Sequence, residues 1–514
     1  MMSRSIDSKR IVLAVLICLS LGTAIAQQHS VLRNPILPGD HPDPTIIRVG
    51  KTYWTTSTSG DWAPEFTLYR STDLLHWNAY GSIFPHPPAW AQSSFWAPEL
   101  VADGGRVLVY YVARERDGPL CVAVATAATP AGPYEDHGPI VCQQDGSIDP
   151  AFVRDESGKP FLIWKEDGNS QNKPTRIWAQ PLTPDLVHLT GDSAELLVND
   201  PKSWEGGVIE APYILRHDGS FYMFYAGNAC CGTECHYAEG VARADHLLGP
   251  WTRDPANPII AANGSWRCPG HGTAVQTPAG KDLFLYHAYP TSGTVYLGRE
   301  SVLDSITWTR DGWPVVNEGK GPGEHQQPET SGLHFEDEFR GAVLSAEWKW
   351  PVGHEPRLKI GEGRLTLFAP QVAAQSFVAR SLLTPTYAAS VGVLPSGRAS
   401  GGLGLIGDAM DDVVLSRSGD ALELWQTDRS GRHTLWKLDL ASVETVWLRV
   451  QSTRSGEAEF SYRVGRGEWI NAGGSISLKQ LLPWDSGLRV GLVVAGSHDG
   501  DASFVAFRVS AQQP

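Results

Sequence analysis

Along the first three hundred residues the apolar positions fall into short runs of strand composition, paired across polar turns that contain glycine. Five segments open as Asp43-Pro44-Thr45-Ile46-Ile47, Ala97-Pro98-Glu99-Leu100-Val101, Asp149-Pro150-Ala151-Phe152-Val153, Glu210-Ala211-Pro212-Tyr213-Ile214 and His271-Gly272-Thr273-Ala274-Val275. Each passes a turn at Gly50, Gly104 or Gly105, Gly158, Gly219 or Gly280. A second run rich in aromatic and β-branched residues follows: 53–56, 107–111, 161–164, 221–225 and 283–286. Strand, glycine turn and strand is the signature of a hairpin. Its return at spacings of 54, 52, 61 and 61 residues predicts a five-bladed β-propeller, in which each unit covers its neighbour.

In a propeller the innermost strand of every blade lines the central channel, so equivalent positions at the strand starts face one another around the axis. The predicted occupants are Asp43, Ala97, Asp149, Glu210 and His271. One acid at a strand start is commonly a turn former or a surface charge. Three acids and an imidazole around one channel impose desolvation and repulsion that a structural protein has no reason to carry, which marks the axis as the candidate functional centre.

Glycoside hydrolysis needs two carboxyl groups, one to protonate the leaving oxygen and one to act on the opposite face of the sugar. A third can orient the pair and keep the donor's pKa high. The segment from Asn34 to about Gly319 resembles glycoside hydrolase family 43, through Asn34-Pro35 leading into His41-Pro42-Asp43-Pro44, then Phe95-Trp96-Ala97-Pro98-Glu99, Ile148-Asp149-Pro150, Ile209-Glu210-Ala211-Pro212 and Pro269-Gly270-His271-Gly272. That resemblance implies Asp43 as general base, Glu210 as general acid and Asp149 as the residue that tunes and orients the acid. It further implies inversion of configuration, with base and acid roughly 6.5–9.5 Å apart.

The same resemblance extends to flanking residues. His271 is similar to an axial histidine that faces a channel calcium largely through waters; a hydrogen-bonded core role is the alternative, since calcium prefers oxygen donors. No cofactor is required for the chemistry itself. Trp96 is a candidate sugar-stacking wall, Arg299 resembles a fifth-blade arginine that reaches the pocket, and His41 is a candidate sugar contact; each has packing as its alternative. The Cys230-Cys231 pair resembles vicinal cysteines of arabinan-cleaving relatives, while pairing of either with Cys235 or Cys268 stays open.

Beyond Trp313-Pro314-Val315 the chain turns polar and rich in glycine, proline and glutamine, as a linker does. Further short strands follow at 364–368, 421–425, 446–450, 488–492 and 503–507, and predict a β-sandwich. The opening Phe335-Glu336-Asp337-Glu338-Phe339 and Trp348-Lys349-Trp350 resemble a concanavalin-like domain appended to some β-xylosidases, either a loop donor that closes the pocket or a separate carbohydrate-binding module. The predicted organisation is all-β: a signal peptide at 1–26, the propeller at 27–320, a linker at 321–332 and the sandwich at 333–514.

Arg4, Lys9 and Arg10 before an apolar run from Ile11 to Ile25, ending Ala24-Ile25-Ala26, read as a cleaved secretory signal and predict a secreted or periplasmic protein. The run is shorter than the roughly 20 residues of a membrane span. The formal charge of -14 becomes more negative without that basic segment, which argues against nucleic acid or an anionic membrane as partner and fits a neutral substrate. Six cysteines remain after Cys18, and in an oxidising compartment some are expected to pair.

The expected substrate is an arabinose- or xylose-containing plant oligosaccharide or polysaccharide. The vicinal cysteines lean towards an α-L-arabinofuranosidase or arabinanase, and the sandwich towards a β-xylosidase. A propeller lectin is the alternative from another class. Fructan-cleaving propellers carry Asn-Asp-Pro and Arg-Asp-Pro where this chain has Pro42-Asp43-Pro44 and Ile148-Asp149-Pro150.

Overall fold

The computed structural model describes residues 32–291, 295–326, 333–371, 375–395, 398–440, 442–452, 456–496 and 499–512. The predicted signal peptide and half of the predicted linker, 327–332, lie outside these. Among the described residues there is no α-helix, and no helix long and apolar enough to cross a membrane.

Five four-stranded antiparallel sheets follow one another along the chain. Their innermost strands are Thr45–Val49, Ala91–Asp103, Ser147–Arg154, Ile209–His217 and Trp266–Gln276. Each pairs in antiparallel register with the second strand of its hairpin. These are blades 1 to 5, and the predicted hairpins form their inner halves.

Side-chain alternation explains why the second strands are apolar throughout. In Ser220–Gly227 of blade 4, Phe221, Met223 and Tyr225 join a core with blade 3, while Tyr222 and Phe224 face the opposite way into a core with blade 5. Comparable cores fill the gaps between blades 1 and 2, 2 and 3, and 5 and 1. Burying a side chain of this size contributes about 1.5–3 kcal/mol, so each blade is held chiefly by its neighbours. The ring closes without strand exchange. The Asn34 side chain accepts from the Leu303 amide (2.9 Å) and donates to the Leu303 carbonyl (3.3 Å), tying the leading segment to blade 5.

The predicted strands after residue 333 form a sandwich of a nine-stranded and a six-stranded sheet over one large core. The sandwich also packs on the propeller. Trp350–Pro351 pairs with Trp62–Ala63 of the blade 1 excursion, and Trp62 is buried against Phe377, Trp425 and Val493 of the six-stranded sheet. Gly39 meets Leu382 and Leu383 so closely that an added Cβ would lie 3.0 Å from either.

Candidate active site

The inner strands do not run straight into the axis. Asp43, Ala97, Asp149, Ala211 and His271 all sit in the left-handed region, at φ 52°, 43°, 54°, 56° and 52°. In blades 2 to 5 the pairing register breaks at these positions. An L-residue adopts this conformation at a cost, which is repaid where a bulge must aim a side chain at a particular point. Four of the five residues direct their backbone N–H to a side chain. Asp43 donates to His287 Nδ1 (3.0 Å), Ala97 to Thr58 Oγ1 (2.7 Å), Ala211 to Asp149 Oδ2 (2.9 Å) and His271 to Glu239 Oε2 (2.9 Å).

This repeat corrects one detail of the sequence reading. The blade 4 residue equivalent to Asp43 and Asp149 is Ala211, and Glu210 precedes it. Alignment on the proline shows the offset: Asp43-Pro44, Ala97-Pro98 and Asp149-Pro150 correspond to Ala211-Pro212.

Asp43, Asp149 and Glu210 nevertheless line one open cavity of about 560 Å³, together with His271, Arg299 and Trp96. Around Asp43, Arg299 Nη1 donates to Oδ1 (2.9 Å) and Thr58 to Oδ2 (2.7 Å). The Nδ1 atoms of His271 and His287 lie 3.3 and 3.2 Å from Oδ1. Burial pushes this carboxyl up, but Arg299 first and then His271 outweigh it and hold Asp43 well below the ordinary carboxylate range. His287 is fully buried and lowered to about 4, by burial first and then by Arg299. It is therefore neutral, which leaves Nδ1 free to accept from the Asp43 amide.

In the same cavity, Glu210 accepts from Lys165 Nζ at Oε2 (2.7 Å) and from the Tyr237 hydroxyl at Oε1 (2.8 Å). Lys165 also donates to Asp167 (2.9 Å). Burial raises Glu210, yet Lys165, Tyr237 and His271 together bring it below its usual value. For Asp149 burial dominates and, with the nearby Glu210 and Asp43 carboxylates adding to it, lifts the group to about 6 against His271 and Lys165. The Asp149–Glu210 pair thus binds one proton, mainly on Asp149, and gives it up as pH rises past about 6.

The sandwich supplies part of the cavity wall. Trp484 is 64% exposed and meets the Trp96 ring edge-on at 6.5 Å, and Asp485 faces Arg299, whose Nη2 donates to the Asp485 carbonyl (3.1 Å). Cys230 and Cys231 also line the cavity, joined in a vicinal disulfide. The other cysteines pair as Cys121–Cys142 and Cys235–Cys268.

His41 is not part of this wall. Its ring lies edge-on to Tyr69 at 5.2 Å and borders a separate cavity between blade 1 and the sandwich. For His271 the nearest carboxylate, Asp43, is engaged by Arg299 and Thr58. Among the described residues no three His, Cys, Asp or Glu ligand atoms converge around His271, so the side chains do not assemble a direct calcium shell. Lys165 and His287 escaped the sequence reading because each lies inside an ordinary apolar strand, and Thr58 and Tyr237 because each lies in a connecting segment with no motif of its own.

The profile of glycosyl hydrolases family 43 matches residues 32–314. A xylosidase/arabinosidase of Butyrivibrio fibrisolvens is 28% identical over 310 residues, 57% of each chain. The extracellular exo-α-(1→5)-L-arabinofuranosidase ArbA of Cellvibrio japonicus is 28% identical over 308 residues, 54% of this chain and 87% of that one. The chain spans 56% to 64% of the length of several other curated relatives it matches. Among solved structures, the family 43 protein BlXynB of Bacillus licheniformis superposes with a TM-score of 0.76, covering 93% of this chain and 99% of that one at 23% identity. A Bacteroides ovatus protein, GH43B of a xyloglucan locus, gives a TM-score of 0.78 at 20% identity, covering 94% and 100%. The likeness in fold thus runs through both the propeller and the sandwich, and the chain belongs to glycosyl hydrolases family 43.

Proposed function

We propose that this chain is a secreted, inverting glycoside hydrolase that releases terminal α-L-arabinofuranosyl residues from plant oligosaccharide or polysaccharide. Asp43 is the general base on water, Glu210 the general acid and Asp149 the residue that orients and tunes the acid. The observation that carries this reading is the meeting of three carboxylates, from three blades, in one cavity with opposite electrostatic settings. Asp43 is kept ionised by Arg299, as a base must be, and its Oδ2, which accepts from Thr58, retains a lone pair for a water. The Asp149–Glu210 pair keeps, mainly on Asp149 and up to about pH 6, a proton that can pass to Glu210 as the acid.

Attack at a chain end is supported by the walls. Trp96, Trp484 and the vicinal disulfide together wall part of the cavity, with the two tryptophan rings in edge-on contact. A β-xylosidase is the second reading, since the Butyrivibrio relative's name joins both sugars. Secretion is supported by the leader sequence and by a relative described as extracellular.

The test compares Glu210→Gln with the unaltered enzyme on aryl arabinofuranoside, aryl xyloside, linear arabinan and xylan, with NMR following the anomer first released. The expected result is turnover of unactivated substrates reduced by at least about 100-fold with binding retained, because only the proton donor is lost. Near-normal hydrolysis by Glu210→Gln would remove Glu210 from the acid role. Sugar binding without turnover by the unaltered protein would make it a lectin.

A further inference from the structure

Lys165 is the fully buried cation of this site, with 1% of its side chain exposed. It lies in the second strand of blade 3, Pro160–Glu166, and its ammonium touches two carboxylates: Glu210 Oε2 at 2.7 Å and Asp167 Oδ1 at 2.9 Å. Both oxygens of Glu210 are therefore occupied by donors, Lys165 on one and Tyr237 on the other. That arrangement suits a carboxylate and opposes a carboxylic acid, because a hydroxyl oxygen is the poorer acceptor for an ammonium. An acid that is to protonate a leaving oxygen must loosen one of these contacts. Asp167 offers the ammonium a second acceptor already within reach, so the loosening does not expose a bare charge.

We propose that Lys165 is a positioning residue that slides between Glu210 and Asp167, holding the acid ionised in the empty site and releasing it to carry its proton when sugar fills the cavity. The inference rests on the reading of Glu210 as the acid. Lys165 keeps all three of its protons throughout. The proton that reaches Glu210 is the one the Asp149–Glu210 pair already binds, and it passes from Glu210 to the leaving oxygen as the glycosidic bond breaks.

The other groups facing Glu210 do not duplicate this role. Asp149 from blade 3 repels it, Tyr237 from its own blade donates to it, and His271 from blade 5 draws it towards the ionised form. Asp43 lies against Arg299 and His287, and Arg114 of blade 2 borders the same cavity. Of these groups, only Lys165 has one acceptor in Glu210 and another outside the catalytic trio.

The test is the pH profile of kcat/KM for Lys165→Met, Lys165→Arg and Asp167→Asn, on aryl glycosides with good and poor leaving groups. Without the cation the acid holds its proton to higher pH, so Lys165→Met should move the alkaline limb up by about one pH unit or more. Without the competing acceptor the ammonium stays on Glu210, so Asp167→Asn should move that limb down. Lys165→Arg should return the limb towards its original place. A cation needed only for folding would lower activity evenly across pH and leaving group; limbs that stay put, or move in the same direction in the Met and Asn variants, overturn the proposal. Should Lys165→Met not fold, the direction of the Asp167→Asn shift decides alone. A failure of the acid assignment is separately visible, as full activity of Glu210→Gln on poor leaving groups.

Discussion

Asp43 is a carboxylate that burial alone would neutralise, and Arg299 is what prevents it. The arginine is itself nearly inaccessible and leaves its Nε without a partner, a desolvation cost that makes sense only if its charge is needed. Replacing it by methionine should let the Asp43 pKa rise, so that the base becomes protonated as pH falls and the acidic limb of kcat/KM moves to higher pH. A loss on the order of 100-fold near neutrality should accompany the shift, matching a misplaced or protonated base. An Arg299→Met profile with its acidic limb unmoved would contradict this. The opposite limb belongs to the Asp149–Glu210 pair. Its shared proton leaves as pH rises past about 6, where Asp149 is poised, so activity of the unaltered enzyme should decline above that value. A pH–rate profile that stays flat to about pH 8 would refute the assignment of the proton to this pair.

At the scale of the element, the bulge does the aiming. Ala97 occupies the blade 2 version at φ 43°, carries no catalytic group, and donates its amide to the hydroxyl of Thr58, which in turn donates to Asp43. Ala97→Gly should be nearly neutral, because relief of left-handed strain and the greater freedom of the unfolded glycine offset each other. Ala97→Val should cost about 1–3 kcal/mol and some activity, since a β-branched side chain resists positive φ. Denaturant unfolding measures both, and equal losses would show that packing rather than backbone conformation governs the position.

The same elements show what the chain makes legible. Hairpins and their count are written locally, in apolar runs bounded by glycine turns, so all five inner strand pairs were found. The acids were found because proline follows or nearly follows each of them. The one-residue offset at Glu210 was missed, since composition alone does not say where a bulge inserts its extra residue. Lys165 and Tyr237 stayed hidden for another reason. Lys165 sits inside an apolar strand and looks like a core residue until blade-to-blade packing brings it to a carboxylate 45 positions away, while Tyr237, just before its strand, meets the same carboxylate within blade 4, 27 positions away along the chain.

At the scale of the molecule, the sandwich is part of the active site's support. The loop that carries Trp484 and Asp485 returns through Gly487 and Leu488, whose amide donates to the Tyr296 carbonyl at 2.8 Å, three residues before Arg299 in sequence. Gly487 has no room for a side chain: an added Cβ would stand 2.6 Å from the Leu297 carbonyl oxygen and 2.8 Å from the Gly298 nitrogen. Backbone atoms cannot yield as a side-chain tip does, so in Gly487→Ala the loop must lift. Lifting it withdraws the Asp485 carbonyl from Arg299 Nη2 and the Trp484 ring from Trp96, loosening the base's counter-ion and one wall together. The expected outcome is a fall in kcat/KM of about tenfold or more, a raised KM for oligosaccharide, and an acidic limb displaced in the same direction as in Arg299→Met though less far. Steady-state kinetics across pH measure all three. If Gly487→Ala lowered thermal stability but left KM and the acidic limb in place, the sandwich would be a brace for the propeller and not a contributor to catalysis.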